Sequence, residues 1–140
     1  MSYTSWRGTV GLIKPTHRPG SLEEFIRLLP EGIGVLPTYV GFKRGDTEEF
    51  RGALAAYEER VAELSKHGVD LIHPEGAPPF MVHGFKREAE ITREWEKKYG
   101  LPIVTASQTQ VEALQALKVR KIVGVTYFTG DINDMFSRYF

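Results

Sequence analysis

Short apolar runs alternate with amphipathic stretches along this chain, and that alternation predicts strand followed by helix several times over. Residues 9–13, Thr-Val-Gly-Leu-Ile, read as the first strand. Ser21-Leu22-Glu23-Glu24 has the pattern of a capping box and predicts a short helix to about residue 29. Residues 32–39 read as a second strand. Asp46-Thr47-Glu48-Glu49 marks another helix start, and Phe50, Leu54, Tyr57, Val61 and Leu64 then recur at helical spacing until Gly68. Residues 69–72 form a short apolar run, the third strand, and a proline-rich loop follows over residues 73–84. Ile91, Trp95 and Tyr99 share one face of a charged helix predicted over about 86–99, with Gly100 behind it. Residues 102–104 predict a fourth strand, and Ser107 caps a helix that turns Val111, Leu114 and Leu117 inward. Residues 121–125 predict a fifth strand, and a last helix starts near Thr129 or Asp131 and runs to Phe140.

Strict strand–helix alternation implies right-handed crossovers and a parallel sheet. The fold class expected is α/β, an open and mainly parallel sheet with helices on both faces, a flavodoxin-like lobe. Strands buried on both faces read as continuous apolar runs, as these do. Ligands in such sheets bind beyond the carboxyl ends of the strands. The candidate site therefore consists of five loops, residues 14–18, 38–41, 73–84, 105–108 and 126–131. The 140 residues make one domain by length. The last helix carries Met135, Phe136, Tyr139 and Phe140 and predicts a cover for them, either self-association through that helix or a longer polypeptide.

Composition narrows the function. Eighteen basic and 18 acidic residues cancel, so no global charge favours nucleic acid or an anionic membrane as partner. No apolar run approaches the roughly 20 residues of a spanning helix. Residues 1–7 lack the layout of a secretory signal, and a cytoplasmic location is expected. Without cysteine there are no disulfides, zinc–thiolate sites or cysteine nucleophiles in these residues. Glycine-rich phosphate loops and a G-x-S-x-G elbow are absent as well.

Two loops concentrate chemistry. Lys14-Pro15-Thr16-His17-Arg18 offers two cations, a hydroxyl and an imidazole to an anion, or is a solvated basic turn. His73-Pro74-Glu75-Gly76-Ala77-Pro78-Pro79-Phe80 is stiffened by prolines and opened by Gly76, which makes it either a platform for a site or a rigid connection. His73, Glu75 and His83 are candidates for general acid/base work. Their spacing matches no helical His-x-x-x-His pair and no fourth ligand is evident, so no metal is expected. His67, at a helix end beside Gly68, is read as structural. Ser107 and Thr129, at helix N-termini on the ligand edge, are anion-binding candidates or plain caps.

Several segments resemble the aspartate/glutamate racemase superfamily, in particular its arylmalonate decarboxylase and maleate isomerase branch. They are residues 8–15 (Gly-Thr-Val-Gly-Leu-Ile-Lys-Pro), residues 68–72 running into Gly76, residues 100–105 (Gly-Leu-Pro-Ile-Val-Thr), residues 113–122, and Asp131-Ile132-Asn133. They cover nearly the whole chain in the right order. The resemblance implies a two-lobed, pseudo-symmetric enzyme that works without a cofactor and forms an enolate-like species beside a carboxylate. It implies a first lobe over about 1–115 and the start of a second over about 116–140. It aligns Gly76 with the position at which the decarboxylase branch has glycine in place of the first cysteine. The second cysteine would lie beyond Phe140.

The resemblance places Pro15, Thr16, Gly76, Ala77, Pro78, Tyr127 and Phe128 along the substrate. Ala77 and Pro78 stand where the family offers hydroxyls and N–H groups to a carboxylate, and Phe128 stands where a tyrosine is common. The function implied is decarboxylation, isomerisation or racemisation of a small carboxylate or carbonyl ligand, with proton transfer from outside these residues or from His73, Glu75 or His83 in place of cysteine. The alternative is a non-catalytic module that binds a small carboxylate or phosphate.

Overall fold

The computed structural model describes residues 5–18 and 20–140. Its elements run β1 (Gly8–Lys14), α1 (Ser21–Leu28), β2 (Ile33–Tyr39), α2 (Thr47–Arg51), α3 (Leu54–Leu64), β3 (Leu71–Pro74), α4 (Pro78–Met81), α5 (Phe85–Tyr99), α6 (Ala106–Ala116) and α7 (Asp131–Tyr139). The strands form a parallel sheet in the order β2-β1-β3, so the first strand is central. Helices cover both faces, as the α/β reading requires.

Side chains alternate along β1 and divide these faces. Ile13 joins Tyr57, Val61, Leu64, Ile72, Phe80, Ile91, Trp95 and Ile103 in the main core, under α3, α4 and α5. Leu12 and Lys14 point the other way, toward α1, and both are buried. That opposite face is thinly covered, because α1 has no fully buried residue. Gly100 ends α5 with a left-handed φ of 70°, a conformation that glycine adopts without steric cost.

Two of the five expected strands differ. The fourth is reduced to one bridge, Ile72 to Ile103, made by Ile72 N–H to the Pro102 carbonyl (2.9 Å) and Val104 N–H to the Ile72 carbonyl (3.0 Å). Pro102 has no N–H to extend the ladder, and the chain turns into α6 at once. The fifth, residues 121–125, is not a strand among the described residues. Val123 is 88% exposed and Val125 91% exposed. A strand exists only as a paired element, and no described residue pairs with this segment.

Local signals also shifted. The single helix expected from Asp46 is split into α2 and α3 at Gly52, a poor helix former. Asp46 does cap α2, its Oδ1 accepting from Glu49 N–H at 2.8 Å. Gly20, not Ser21, precedes α1, and its N–H donates to Glu23 at 2.8 Å. Thr105 caps α6 in place of Ser107. The proline-rich loop contains α4, where Pro78 and Pro79 occupy first-turn positions whose N–H groups would be unpaired anyway.

Candidate functional site

The parallel pairing of Ile13 with Pro74 sets the end of β1 beside the loop that leaves β3. Lys14 and Glu75 therefore emerge side by side on the α1 face of the sheet. Lys14 is 1% exposed, and its Nζ donates to Glu75 Oε2 at 2.7 Å and to Ser21 Oγ at 2.5 Å. It is a buried clamp and not part of a solvated basic turn, whereas His17 and Arg18 are exposed. The Glu75 backbone is held from two sides: its N–H donates to the Ile13 carbonyl at 2.9 Å, and its carbonyl accepts from Tyr57 Oη at 2.7 Å.

His73 lies on the same sheet face, two residues before Glu75. Its Nδ1 is 2.6 Å from the Val104 carbonyl and so carries the proton, which leaves Nε2 as the acceptor. Phe25 of α1 stacks on its ring at 5.8 Å. Burial holds the imidazole below the ordinary histidine range, and the Val104 hydrogen bond and the Glu75 charge oppose that shift. A histidine kept neutral by the fold contributes stability that is complete above its ordinary value, near pH 6.5, and is lost as pH falls below it. His83 is shifted the same way, by burial and by Arg87 and Arg51. The urea midpoint is therefore expected to fall from pH 7.5 to 5.5, and His73→Asn should reduce that fall. An identical slope in the variant would contradict the assignment to His73.

Gly76 has φ 96°, and a Cβ built there would lie 3.2 Å from Tyr57 Oη and 3.3 Å from Pro15 Cγ. Pro15 and Gly76 are thus in contact across the two loops. The Pro15 carbonyl accepts from Gly41 and Phe42 N–H at 3.1 and 2.9 Å, which ties in the loop after β2. Thr16 is partly exposed beside it, and the His17 ring stacks on Tyr39 at 4.4 Å.

Ala77 and Pro78 are buried, and Ala77 packs with Met81 against Met135 of α7. Phe128 meets Phe50 edge-on at 6.5 Å and stacks on Phe136 at 5.7 Å, while Tyr127 is mostly exposed with its ring 4.4 Å from Phe128. Ala77 and Met81 of the third loop thus touch α7, and Phe128 of the last loop touches α7 through Phe136. His83 stands apart. It follows α4, its Nε2 is buried with no partner among the described residues, and no hydrogen bond joins it to His73 or Glu75.

The family model for arylmalonate decarboxylase matches residues 10–140. The chain belongs to that family. Solved structures agree in fold. A crystal structure of arylmalonate decarboxylase superposes with a TM-score of 0.77 at 22% identity, covering 94% of this chain and 56% of that one. A liganded double mutant of arylmalonate decarboxylase gives 0.83 at 21% identity, with 94% and 56% covered. A variant maleate isomerase from Pseudomonas putida S16, crystallised with maleate, gives 0.76 at 21% identity, with 94% and 58% covered. The chain thus spans somewhat over half the length of these proteins. No curated protein matches it.

Within this arylmalonate decarboxylase family member, two buried polar groups were not legible in the sequence. Lys14 is the one cation in an otherwise uncharged β1, at the end of the strand, where a solvated cation is equally at home. Glu88, in the first turn of α5, is 0% exposed. Its Oε1 accepts from Thr105 and Ser107 hydroxyls and its Oε2 from Tyr139 Oη. Burial and that last bond push the Tyr139 phenol above its ordinary range. No group of acidic and histidine side chains suited to a metal occurs among the described residues, and no described helix is long and apolar enough to cross a membrane. A groove of about 820 Å³ lies elsewhere, between α6, residues 122–126 and α7. It is lined by Leu114, Leu117, Ile122, Val125, Phe136 and Phe140, and none of the loops after β1 or β3 contributes to it. It is the hollow left beside the unpaired 121–125 segment, so the loop geometry around Glu75 is the better guide to chemistry.

Proposed function

We propose that the intact protein binds a small carboxylate or related carbonyl compound and decarboxylates, isomerises or racemises it through an enolate-like species, without a cofactor. The family match over residues 10–140 carries this reading. The contact of the Pro15 and Gly76 loops at the carboxyl edge of a parallel sheet supports it, since that edge is where such folds bind ligands. Pro15, Thr16 and Gly76 form the first-lobe wall, Ala77 and Pro78 back it, and Tyr127 and Phe128 supply an apolar flank. Residues from about 116 onward begin a second lobe, in which the apolar segment 121–125 pairs as a strand. The exposed apolar side chains of that segment support this division.

A panel of substituted malonates, maleate and amino acids, assayed on the natural full-length polypeptide, tests the proposal. Turnover of at least one member is expected. Neither turnover nor binding of any would overturn it. A non-catalytic binding module is the second reading, favoured by Ala77 and Pro78, which bring no hydroxyl to the start of α4. It predicts thermal stabilisation by a panel member without turnover.

A further inference from the structure

We propose that Glu75 is the proton-transfer group of this lobe, and that the buried Lys14, together with Ser21, positions it as a base. This rests on the proposed enolate chemistry and narrows it to compounds that carry a removable proton on the carbon beside a carbonyl or carboxylate.

The Lys14–Glu75 pair is asymmetric. The Lys14 side chain is 2% exposed and that of Glu75 is 30% exposed. An ammonium withdrawn from water is costly unless paired, so Lys14 keeps Glu75 Oε2 turned inward. Among the described residues Oε1 has no hydrogen-bond partner, and the side chain stays partly exposed in the loop that leaves β3, one residue before Gly76. The backbone bonds to Ile13 and Tyr57 stop the group from swinging away. Ser21 Oγ accepts a second hydrogen bond from Lys14 Nζ and fixes the direction of the ammonium. His73 is less suited to the role, because Phe25 covers its ring.

Lys14 engages Oε2 only, so the other oxygen of the carboxylate is the one that can accept a proton. Glu75 Oε1 takes the proton from the substrate carbon, the C–H bond breaks, and its electron pair passes into the enolate as the O–H bond forms. Return of that proton to the same carbon or a neighbouring one consumes the enolate and regenerates the carboxylate. The Lys14 charge stays in place throughout, so Lys14 and Ser21 are positioning residues and Glu75 is the catalytic one.

Proton NMR in D2O on the full-length polypeptide, with phenylmalonate, aspartate and glutamate as probes of Glu75 and maleate as a probe of the proposed function alone, reads both product formation and deuterium entry at carbon. Glu75→Gln is expected to lower kcat by about 100- to 10,000-fold with KM little changed. Lys14→Met should lower kcat in the same way, with partial recovery in Lys14→Arg. Ser21→Ala, which leaves the ion pair intact, serves as the second variant if Lys14→Met does not fold, and should also lower kcat more than it changes KM. Wild-type turnover that survives Glu75→Gln would overturn this assignment alone. No turnover or exchange of any probe by the wild type would overturn the proposed function and the dyad with it.

Discussion

Replacing Glu88 with leucine is expected to lower the unfolding free energy by about 3 kcal/mol, the cost of leaving buried hydroxyls without an acceptor. Glu88 is the single acceptor on which Thr105, Ser107 and Tyr139 converge. Thr105 and Ser107 are themselves fully buried, so water cannot replace the carboxylate there. The three donors come from the cap of α6, the first turn of α6 and the end of α7, which makes Glu88 the joint between α5 and everything after it. Thr105 keeps one compensating contact, as acceptor from Gln108 N–H at 3.4 Å. Glu88→Gln retains one acceptor oxygen and should cost less than Glu88→Leu. Urea unfolding of the three proteins checks the order. Equal midpoints for wild type and Glu88→Leu would show that the hydroxyls find other partners.

Gly76→Val is expected to destabilise the protein by about 3 kcal/mol, from a strained backbone conformation together with overpacking. Gly76 has φ 96°, and the new Cβ would press on the Tyr57 hydroxyl and the Pro15 ring. Neither neighbour can yield freely. Tyr57 is 0% exposed and its hydroxyl is spent on the Glu75 carbonyl, while the Pro15 carbonyl holds two N–H groups of the next loop. The substitution therefore also displaces Glu75. Gly76→Ala should fall between, because it shares the backbone strain and the Cβ contact but adds no branch. Valine tolerated with an unchanged midpoint would mean that the loop relaxes away from Tyr57.

What the sequence by itself determined was the alternation. Helical spacing in residues 50–64 and 91–99 and the short, mainly apolar runs of β1 and β3 set the layers and the parallel sheet, because strands buried on both faces read in this way. The same pattern located the loops at the carboxyl edge, and Gly76 was marked by its place among prolines. Tertiary structure decided which apolar run became a strand. Residues 121–125 have the composition of a strand but no neighbour, and backbone hydrogen bonding is a property of pairs, invisible in one segment. It also decided the polar groups. Lys14 and Glu75 are 61 residues apart and Glu88 and Tyr139 are 51 apart. A charged residue reads as solvated until the fold brings it a partner, so only the assembled sheet and helices could turn Lys14 from a surface cation into a clamp and Glu88 from one of many helix carboxylates into a buried joint.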